Sequence, residues 1–251
     1  MKIFLAGWEW CSYIVPLLAN LPTKVLLLGS YFYLKDRLKD GKRIDQIIDY
    51  AEDFILDSGA YTYMNSKKSI SINEVESYLD GYAAFIKKHN IKNFIEFDID
   101  SVIGYKKVKK LRCELESKVG RLCIPAWHRN RGEHDFYATI KQYPYVALGT
   151  LKTILPSERG IFNTFVREGQ KQGCKIHLLG FTLTTELHKW HVESVDSSTW
   201  IKDGAFGRYS LFNGRRIITT KWDKEKGVSS RVKVFNFIEW YKYQRWALTH
   251  L

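Results

Sequence analysis

Four aspartates stand at or just beyond the ends of short apolar runs in the sequence. Asp57 follows Phe-Ile-Leu, Asp98 and then Asp100 follow Phe-Ile-Glu-Phe, and Asp196 follows Glu-Ser-Val. Carboxylates that converge from separate stretches of chain suit chemistry at the anomeric carbon of a sugar. One can attack C1′ or shield an oxocarbenium-like transition state, while another exchanges protons with the departing group. A carboxylate at a strand end can instead cap the following helix, and this alternative applies to each aspartate taken singly.

The apolar runs that precede these aspartates belong to a set of eight predicted strands. The strands are predicted at residues 2–6, 24–29, 54–57, 94–98, 122–126, 145–149, 175–180 and 193–198. Most of the runs are continuous rather than alternating, which is typical of parallel strands covered on both faces. Between them, apolar residues recur at three- and four-residue steps, as in a helix that includes Val75 and Ile86. Asn73 and Glu76 form the predicted capping pair of that helix.

The regular alternation of strand and helix predicts an α/β protein. We expect a single (β/α)8 barrel over residues 1–251, with an open doubly wound sheet as the alternative. In such a barrel the catalytic groups lie at the carboxyl ends of the strands. The aspartates are therefore expected to meet at one mouth.

The last fifty residues depart from this pattern. Residues 201–251 predict a basic extension packed on the barrel, with a hairpin over residues 208–216 that turns at Asn213 and Gly214. A helix is expected to follow, because apolar residues recur there at helical spacing. That apolar stripe consists of Val234, Phe237, Ile238, Tyr241 and Leu248.

The charge of the chain indicates the class of its partner. Lys and Arg number 39 against 27 Asp and Glu, which gives a net charge of +12. The excess is uneven, since residues 201–251 hold 11 basic and 4 acidic side chains. A polyanion such as a nucleic acid is the expected partner. A basic soluble protein without such a partner is the alternative.

Composition excludes several other classes of protein. With 45% hydrophobic residues, the chain can bury a large core and does not have the composition of a disordered protein. No apolar run approaches the roughly 20 residues that cross a bilayer, so no membrane partner is expected. The cysteines are too scattered for a Cys-based zinc site or a disulfide framework, which favours reduced thiols in a cytoplasm. They are Cys11, Cys113, Cys123 and Cys174.

Three segments together resemble one family of enzymes. DSGAYT (residues 57–62) resembles the DSGGFQ segment of the tRNA-guanine transglycosylases. With HLLGFT (177–182) and SVDSSTW (194–200), it is more similar to the DpdA-like phage and bacterial transglycosylases that put 7-deazaguanines into DNA. Supporting matches are PAWHRNRG (125–132) and ALGTL (147–151). The resemblance covers roughly residues 50–200 and lacks the Cys-rich zinc motif that follows the barrel in the tRNA enzymes.

The resemblance implies a role for particular residues. Asp57 corresponds to the first active-site aspartate and Asp196 to the nucleophile that forms a covalent glycosyl-enzyme, with Glu193 as the other acid nearby. Asp98 corresponds to the residue that binds the guanine edge. The residues that correspond to the lining of the base pocket are Ser58, Gly59, Gly149 and Gly180.

Other candidate contacts follow from residue type and placement alone. His128 is a candidate for contact with base or phosphate, or else a polar residue of the rim, and Trp200 either stacks on a flipped base or belongs to the core. His177 lies inside a predicted strand and is expected to satisfy hydrogen bonds of the core. The candidate nucleic-acid contacts are Arg129, Arg131, Arg208, Arg215 and Arg216.

The activity that the resemblance implies is replacement of guanine in DNA by a 7-deazaguanine. The implied partners are duplex DNA with the target base flipped out and a free 7-deazaguanine base, with no cofactor and no metal. The lack of the zinc motif favours DNA over tRNA. The expected location is the cytoplasm of a bacterium or of a phage-infected cell. Whether a helper protein opens the duplex stays open. The alternatives are hydrolysis of an N-glycosidic bond, a tRNA-directed exchange, and non-catalytic binding of nucleic acid.

Overall fold

A computed structural model of the chain describes residues 1–37, 41–66, 69–149, 159–181, 183–221 and 229–251. The ends of two motifs of the sequence, at residues 150, 151 and 182, lie outside these ranges. None of the helices within the ranges is both long and apolar enough to cross a membrane.

Eight parallel strands form the predicted barrel. The strands are β1 (Lys2–Ala6), β2 (Val25–Ser30), β3 (Ala51–Asp57), β4 (Asn93–Phe94), β5 (Ala126–Trp127), β6 (Tyr145–Leu148), β7 (Lys175–Leu178) and β8 (Ser194–Ser197). Their order is β4-β3-β2-β1-β8-β7-β6-β5. The two outer strands meet through a parallel bridge between Ile95 and Ile124, so the (β/α)8 barrel is confirmed and the open sheet is wrong.

Helices follow the strands around the barrel. They are α1 (Ile14–Ala19), α2 (Tyr31–Arg37), α3 (Gly41–Asp49), α4 (Ala60–Asn65), α5 (Ile72–Lys88), α6 (Asp100–Ile103), α7 (Tyr105–Val119), α8 (Glu133–Gln142), α9 (Arg159–Lys171), α10 (Thr199–Ala205) and α11 (Ser229–His250). The capping prediction for α5 is wrong by two residues. Ser71 accepts the Glu74 amide N–H, and the Glu74 carboxylate accepts the Ser71 amide N–H, because Ser-x-x-Glu is itself a capping box.

The strands β4 and β5 are shorter than predicted, and a side chain explains the difference. The Glu96 amide N–H still pairs across the seam between β4 and β5, with the Ile124 carbonyl at 3.0 Å. Beyond it the Glu96 carboxylate accepts the Ala126 amide N–H at 2.9 Å. Backbone pairing at this seam is confined to the segment around Ile124, whose amide N–H donates to the Phe94 carbonyl at 2.8 Å. A buried glutamate thus takes the place of ladder hydrogen bonds between two strands.

The interior of the barrel positions the strand-end residues. Side chains alternate along a strand, and one buried cluster draws one or two apolar residues from most of the strands: Phe4, Ala6, Leu26, Leu28, Ile55, Ile95, Ile124, Ala126 and Ala147. Asp57, His128 and Gly149 each lie two residues beyond a member of this cluster and continue its inward face. Asp196 is the register partner of Phe4 and faces inward as well.

The C-terminal residues form the predicted hairpin and helix, with a longer hairpin than expected. Strands β9 (Arg208–Phe212) and β10 (Ile217–Lys221) pair antiparallel. The predicted apolar stripe of α11 is wrong in part, because Val234, Ile238 and Leu248 are only half-buried. The helix also buries three polar side chains, each of which has backbone partners: Asn236, Glu239 and Gln244.

Candidate active site at the barrel mouth

Asp57 is the centre of a group of carboxylates at the mouth. Its carboxylate accepts the Gly59 amide N–H at 3.0 Å. Burial first, and then the charges of Asp98, Asp196 and Glu9, together raise the pKa of Asp57 to about 7 against the opposing Gly59 hydrogen bond. These charge effects require Asp98, Asp196 and Glu9 each to lie near Asp57, since Coulomb interactions fall off with distance. A carboxyl group of this pKa can hold or release a proton near neutral pH.

Asp196 is held on one side by hydrogen bonds. Its Oδ1 accepts the Gly180 amide N–H at 2.5 Å and lies 3.3 Å from His177 Nε2. His177 is fully buried, and its Nδ1 lies 2.6 Å from Ser194 Oγ. Ser194 Oγ in turn lies 2.5 Å from the Tyr145 hydroxyl, which extends the chain of hydrogen bonds. Among the described residues Oδ2 of Asp196 has no hydrogen-bond partner, so it is the oxygen available to a substrate.

Asp98 and His128 form a pair across the seam between β4 and β5. Asp98 Oδ2 lies 2.9 Å from His128 Nε2. Burial raises the pKa of Asp98, and the hydrogen bond and charge of His128 oppose that shift. Asp98 is implied to bind guanine, but its Oδ2 is already bonded to His128, so only its Oδ1 is left for that contact.

Gly149 lies beside the imidazole of His128. A β-carbon on Gly149 would lie 2.3 Å from His128 Cε1, so the imidazole occupies the space that a side chain would fill. The Gly149 amide N–H donates to the Trp127 carbonyl at 2.9 Å. The Gly149 backbone as a contact for the base stays a prediction, and what the structure adds is that the His128 ring lies beside this glycine.

Ser58 and Gly59, which follow Asp57, differ in their contribution to the mouth. Ser58 is fully buried, and its carbonyl accepts the Tyr78 hydroxyl at 2.6 Å. Its side chain does not line a pocket, because strand alternation turns it away from the barrel interior. Gly59 has φ 76°, and a β-carbon there would lie 2.4 Å from Phe32 Cβ. Only glycine fits this turn, which presents the amide that Asp57 binds.

Trp200 and Arg131, two candidate contacts for nucleic acid, are buried against other parts of the protein. Trp200 is fully buried, and its Nε1 donates to the Ala6 carbonyl at 2.8 Å. It packs edge-on against Phe237 and cannot stack on a flipped base. The Arg131 side chain is 1% exposed and donates to Asp100 and Glu96 at 2.6 to 2.7 Å. It is not available to a phosphate.

The remaining arginines lie at the surface. Arg129 is exposed in a short helix beyond β5. Arg208 is half-exposed and lies 2.8 Å from Asp203. Arg215 and Arg216 are exposed in the hairpin turn, and no ion pair to either occurs within the described part of the chain. Both line a cavity of about 400 Å³, together with Thr184, Thr185, His188, Asn213, Tyr243, Trp246 and Leu251.

Sequence reasoning missed two residues of the mouth. Glu9 lies in a short helix (Trp8–Trp10) directly beyond β1, a strand-end position of the kind that revealed the aspartates. His177 was expected to serve the core, and it does bond within it, but one partner is Asp196. This hydrogen bond joins two neighbouring strands, so neither local sequence segment predicts it. In the ranges that the structure describes, no three His, Cys, Asp or Glu side chains are grouped to hold a metal ion.

Comparisons with known proteins address the fold alone. A protein of Aquifex aeolicus from a structural study aligns with a TM-score of 0.52 and 10% identity, over 97% of this chain and 93% of that chain. A mutant tryptophan synthase α-subunit of the hyperthermophile Pyrococcus furiosus aligns with a TM-score of 0.51 and 11% identity, over 94% of this chain and 95% of that chain. No protein-family model and no curated protein matches the sequence.

Proposed function

We propose that the protein is a transglycosylase that replaces guanine in DNA by a 7-deazaguanine through a covalent intermediate on Asp196. The observation that carries the proposal is the shared mouth of Asp57, Asp98 and Asp196, since the last two raise the pKa of the first. Base exchange needs one carboxylate that stays ionised to attack and another that takes up the proton of the incoming base.

The first step is attack on the sugar. The target nucleotide is flipped out of the duplex, at a cost of a few kcal/mol, because its C1′ cannot be reached inside the stack. Asp196 Oδ2 forms a bond to C1′ as the bond from C1′ to N9 of guanine breaks. The Gly180 amide and His177 hold the other oxygen, so the carboxylate reaches the sugar in one orientation.

The second step returns the sugar to a base. An incoming 7-deazaguanine loses its N9 proton to Asp57, whose pKa of about 7 suits a general base near neutral pH. N9 then forms a bond to C1′ and displaces Asp196. The new base has carbon in place of N7, so protonation at that position cannot expel it, and the exchange runs in one direction.

The charge distribution supports a nucleic-acid substrate. The carboxylates of the mouth repel phosphate, so the backbone must be bound by basic side chains outside it. Arg129, Arg215 and Arg216 are the exposed candidates, within a chain of net charge +12. DNA is proposed rather than tRNA because the segments at residues 57–62, 177–182 and 194–200 are more similar to the DNA-modifying transglycosylases.

The test offers radiolabelled guanine to the protein with duplex DNA or with tRNA. We expect label in DNA, and no label with Asp196→Asn. Glu193→Gln is the matched control, because this neighbouring acid bonds Lys2 at the opposite end of the barrel and should leave exchange intact. Strands that become cleavable in mild alkali would mean hydrolysis, and labelled tRNA would mean the other polymer. No label in either, with 7-deazaguanines also tried and the protein folded, overturns the proposal.

A further inference from the structure

The imidazole of His128 is fixed in the mouth by two contacts. Its Nε2 lies 2.9 Å from Asp98 Oδ2, so the carboxylate accepts the Nε2 proton. The ring rests over Gly149, where a β-carbon would be 2.3 Å away, and 19% of the side chain stays exposed. Within the described ranges Nδ1 has no hydrogen-bond partner, which leaves one ring nitrogen free to exchange a proton with a substrate.

The departure of guanine requires a proton that the two catalytic aspartates do not supply. Asp196 is consumed as the nucleophile, and Asp57 must be ionised to accept the proton of the incoming base. Guanine expelled as an anion is a poor leaving group, whereas protonation at N7 lets it leave neutral. A separate acid near the base is therefore needed.

We propose that His128 is the general acid that protonates N7 of the departing guanine, an inference that rests on the proposed function. As the Asp196 Oδ2–C1′ bond forms, the electron pair of the C1′–N9 bond passes to the base. The proton on Nδ1 of the imidazolium moves to N7, and neutral guanine leaves. His128 becomes neutral and regains its proton from water, since 19% of its side chain is exposed.

The two neighbours of His128 are positioning residues for this step. Asp98 stabilises the imidazolium and sets the orientation of the ring, as a carboxylate does for a catalytic histidine elsewhere. Gly149 leaves the space in which the ring stands. A 7-deazaguanine offers no lone pair to Nδ1, so His128 acts on the outgoing base alone.

The test compares two leaving groups in the same DNA. His128→Asn leaves a polar, uncharged side chain in the mouth but has no transferable proton. We expect it to slow single-turnover release of guanine by about 10²- to 10⁴-fold, the usual contribution of a general acid. Release of 7-methylguanine, which carries a fixed positive charge at that position and needs no proton, should be at least as fast as with the unchanged protein.

Two further variants separate proton transfer from damage to the site. Gly149→Ala places a β-carbon where the imidazole stands and should copy His128→Asn, and Asp98→Asn should do so more weakly. Each should spare 7-methylguanine. Equal slowing of both bases, in variants with an unchanged circular dichroism spectrum, means that His128 is only structural and overturns the inference. If the unchanged protein releases neither base, the proposed function itself fails.

Discussion

The two ends of the barrel treat their carboxylates in opposite ways. Strand β3 carries Asp53 near its start and Asp57 at its end. Asp53 accepts from Lys2 Nζ at 2.9 Å and from Asn93 Nδ2 at 2.9 Å, and the same lysine lies 3.3 Å from Glu193. Asp57 has the Gly59 amide and, around it, other acids.

The difference shows where the fold tolerates unbalanced charge. Arginines are available near the mouth, but Arg112 and Arg131 bond Glu96 in the layer outside the barrel interior. The charges of Asp98, Asp196 and Glu9 are left to raise the pKa of Asp57. Charge that lowers stability in this way is typical of functional sites, because chemistry needs a carboxyl group poised to change its protonation state.

The largest expected effect tests this contrast on one strand. Asp57→Asn removes the proposed base and should lower the rate of exchange by about 10²- to 10⁴-fold. Asp53→Asn, the same change at the other end of β3, should leave the rate within about twofold, since Asp53 is far from the proposed chemistry. Steady-state incorporation of labelled base measures both. Equal losses would show that the two ends do not differ in function.

The effect of Asp57→Asn on stability should be opposite to its effect on activity: the variant loses activity but becomes more stable at high pH. Its pKa is raised from 3.8 in the unfolded chain to about 7 when folded, so the folded state binds more protons between these values. Stability therefore falls as the pH rises through this window. Asp57→Asn should be more stable than the unchanged protein at pH 8, by on the order of 2 kcal/mol, since one pKa unit is worth about 1.4 kcal/mol and the half-buried carboxyl keeps some solvent.

Urea unfolding at pH 4 and pH 8 checks this prediction. The gain of Asp57→Asn should shrink at pH 4, where the native carboxyl is protonated. A variant that is less stable at pH 8 would contradict the raised pKa.

A smaller effect is expected at the hairpin, whose turn lies beside the C-terminal half of α11. Replacing Arg215 and Arg216 together by alanine should weaken DNA binding about tenfold at moderate salt and flatten its salt dependence by one to two units of slope. Arg208→Ala is the control, because Asp203 already pairs with that guanidinium. Fluorescence anisotropy across a salt series measures both. Unchanged slopes in the double variant would place the phosphate contacts elsewhere.

The smallest effect belongs to the balanced end. Lys2→Met removes the cation shared by Asp53 and Glu193, and we expect a loss of at most about 1 kcal/mol in the free energy of unfolding, because the partners are partly exposed. Exchange activity should not change. A large loss of activity would mean that this network also serves the mouth.

The order of the strands and the position of the main acids could be predicted from sequence, because both follow from local patterns. An apolar run that ends in aspartate reveals both a strand and its mouth residue, as for Asp57 and Asp196. Whether Ser58 faces the mouth depends on strand alternation, in which a shift of one residue reverses the direction of the side chain. The burial of Trp200 and Arg131 depends on partners distant in the chain, Ala6 and Asp100. The lengths of β4 and β5 depend on one side chain, Glu96, whose contact with the Ala126 amide has no signature in either segment.

The replacement of ladder hydrogen bonds by Glu96 makes the seam between β4 and β5 the place where the barrel is least tied by its own backbone. Local opening starts where few such bonds must break, so amide protons around Ile95 and Ile124 should exchange with deuterium sooner than those of β1 and β2. Asp98 and His128 emerge from the two sides of this seam. Breathing of the barrel there would part the two side chains and join them again, so that the least rigid line in the sheet runs beneath the pair that must hold its geometry most closely.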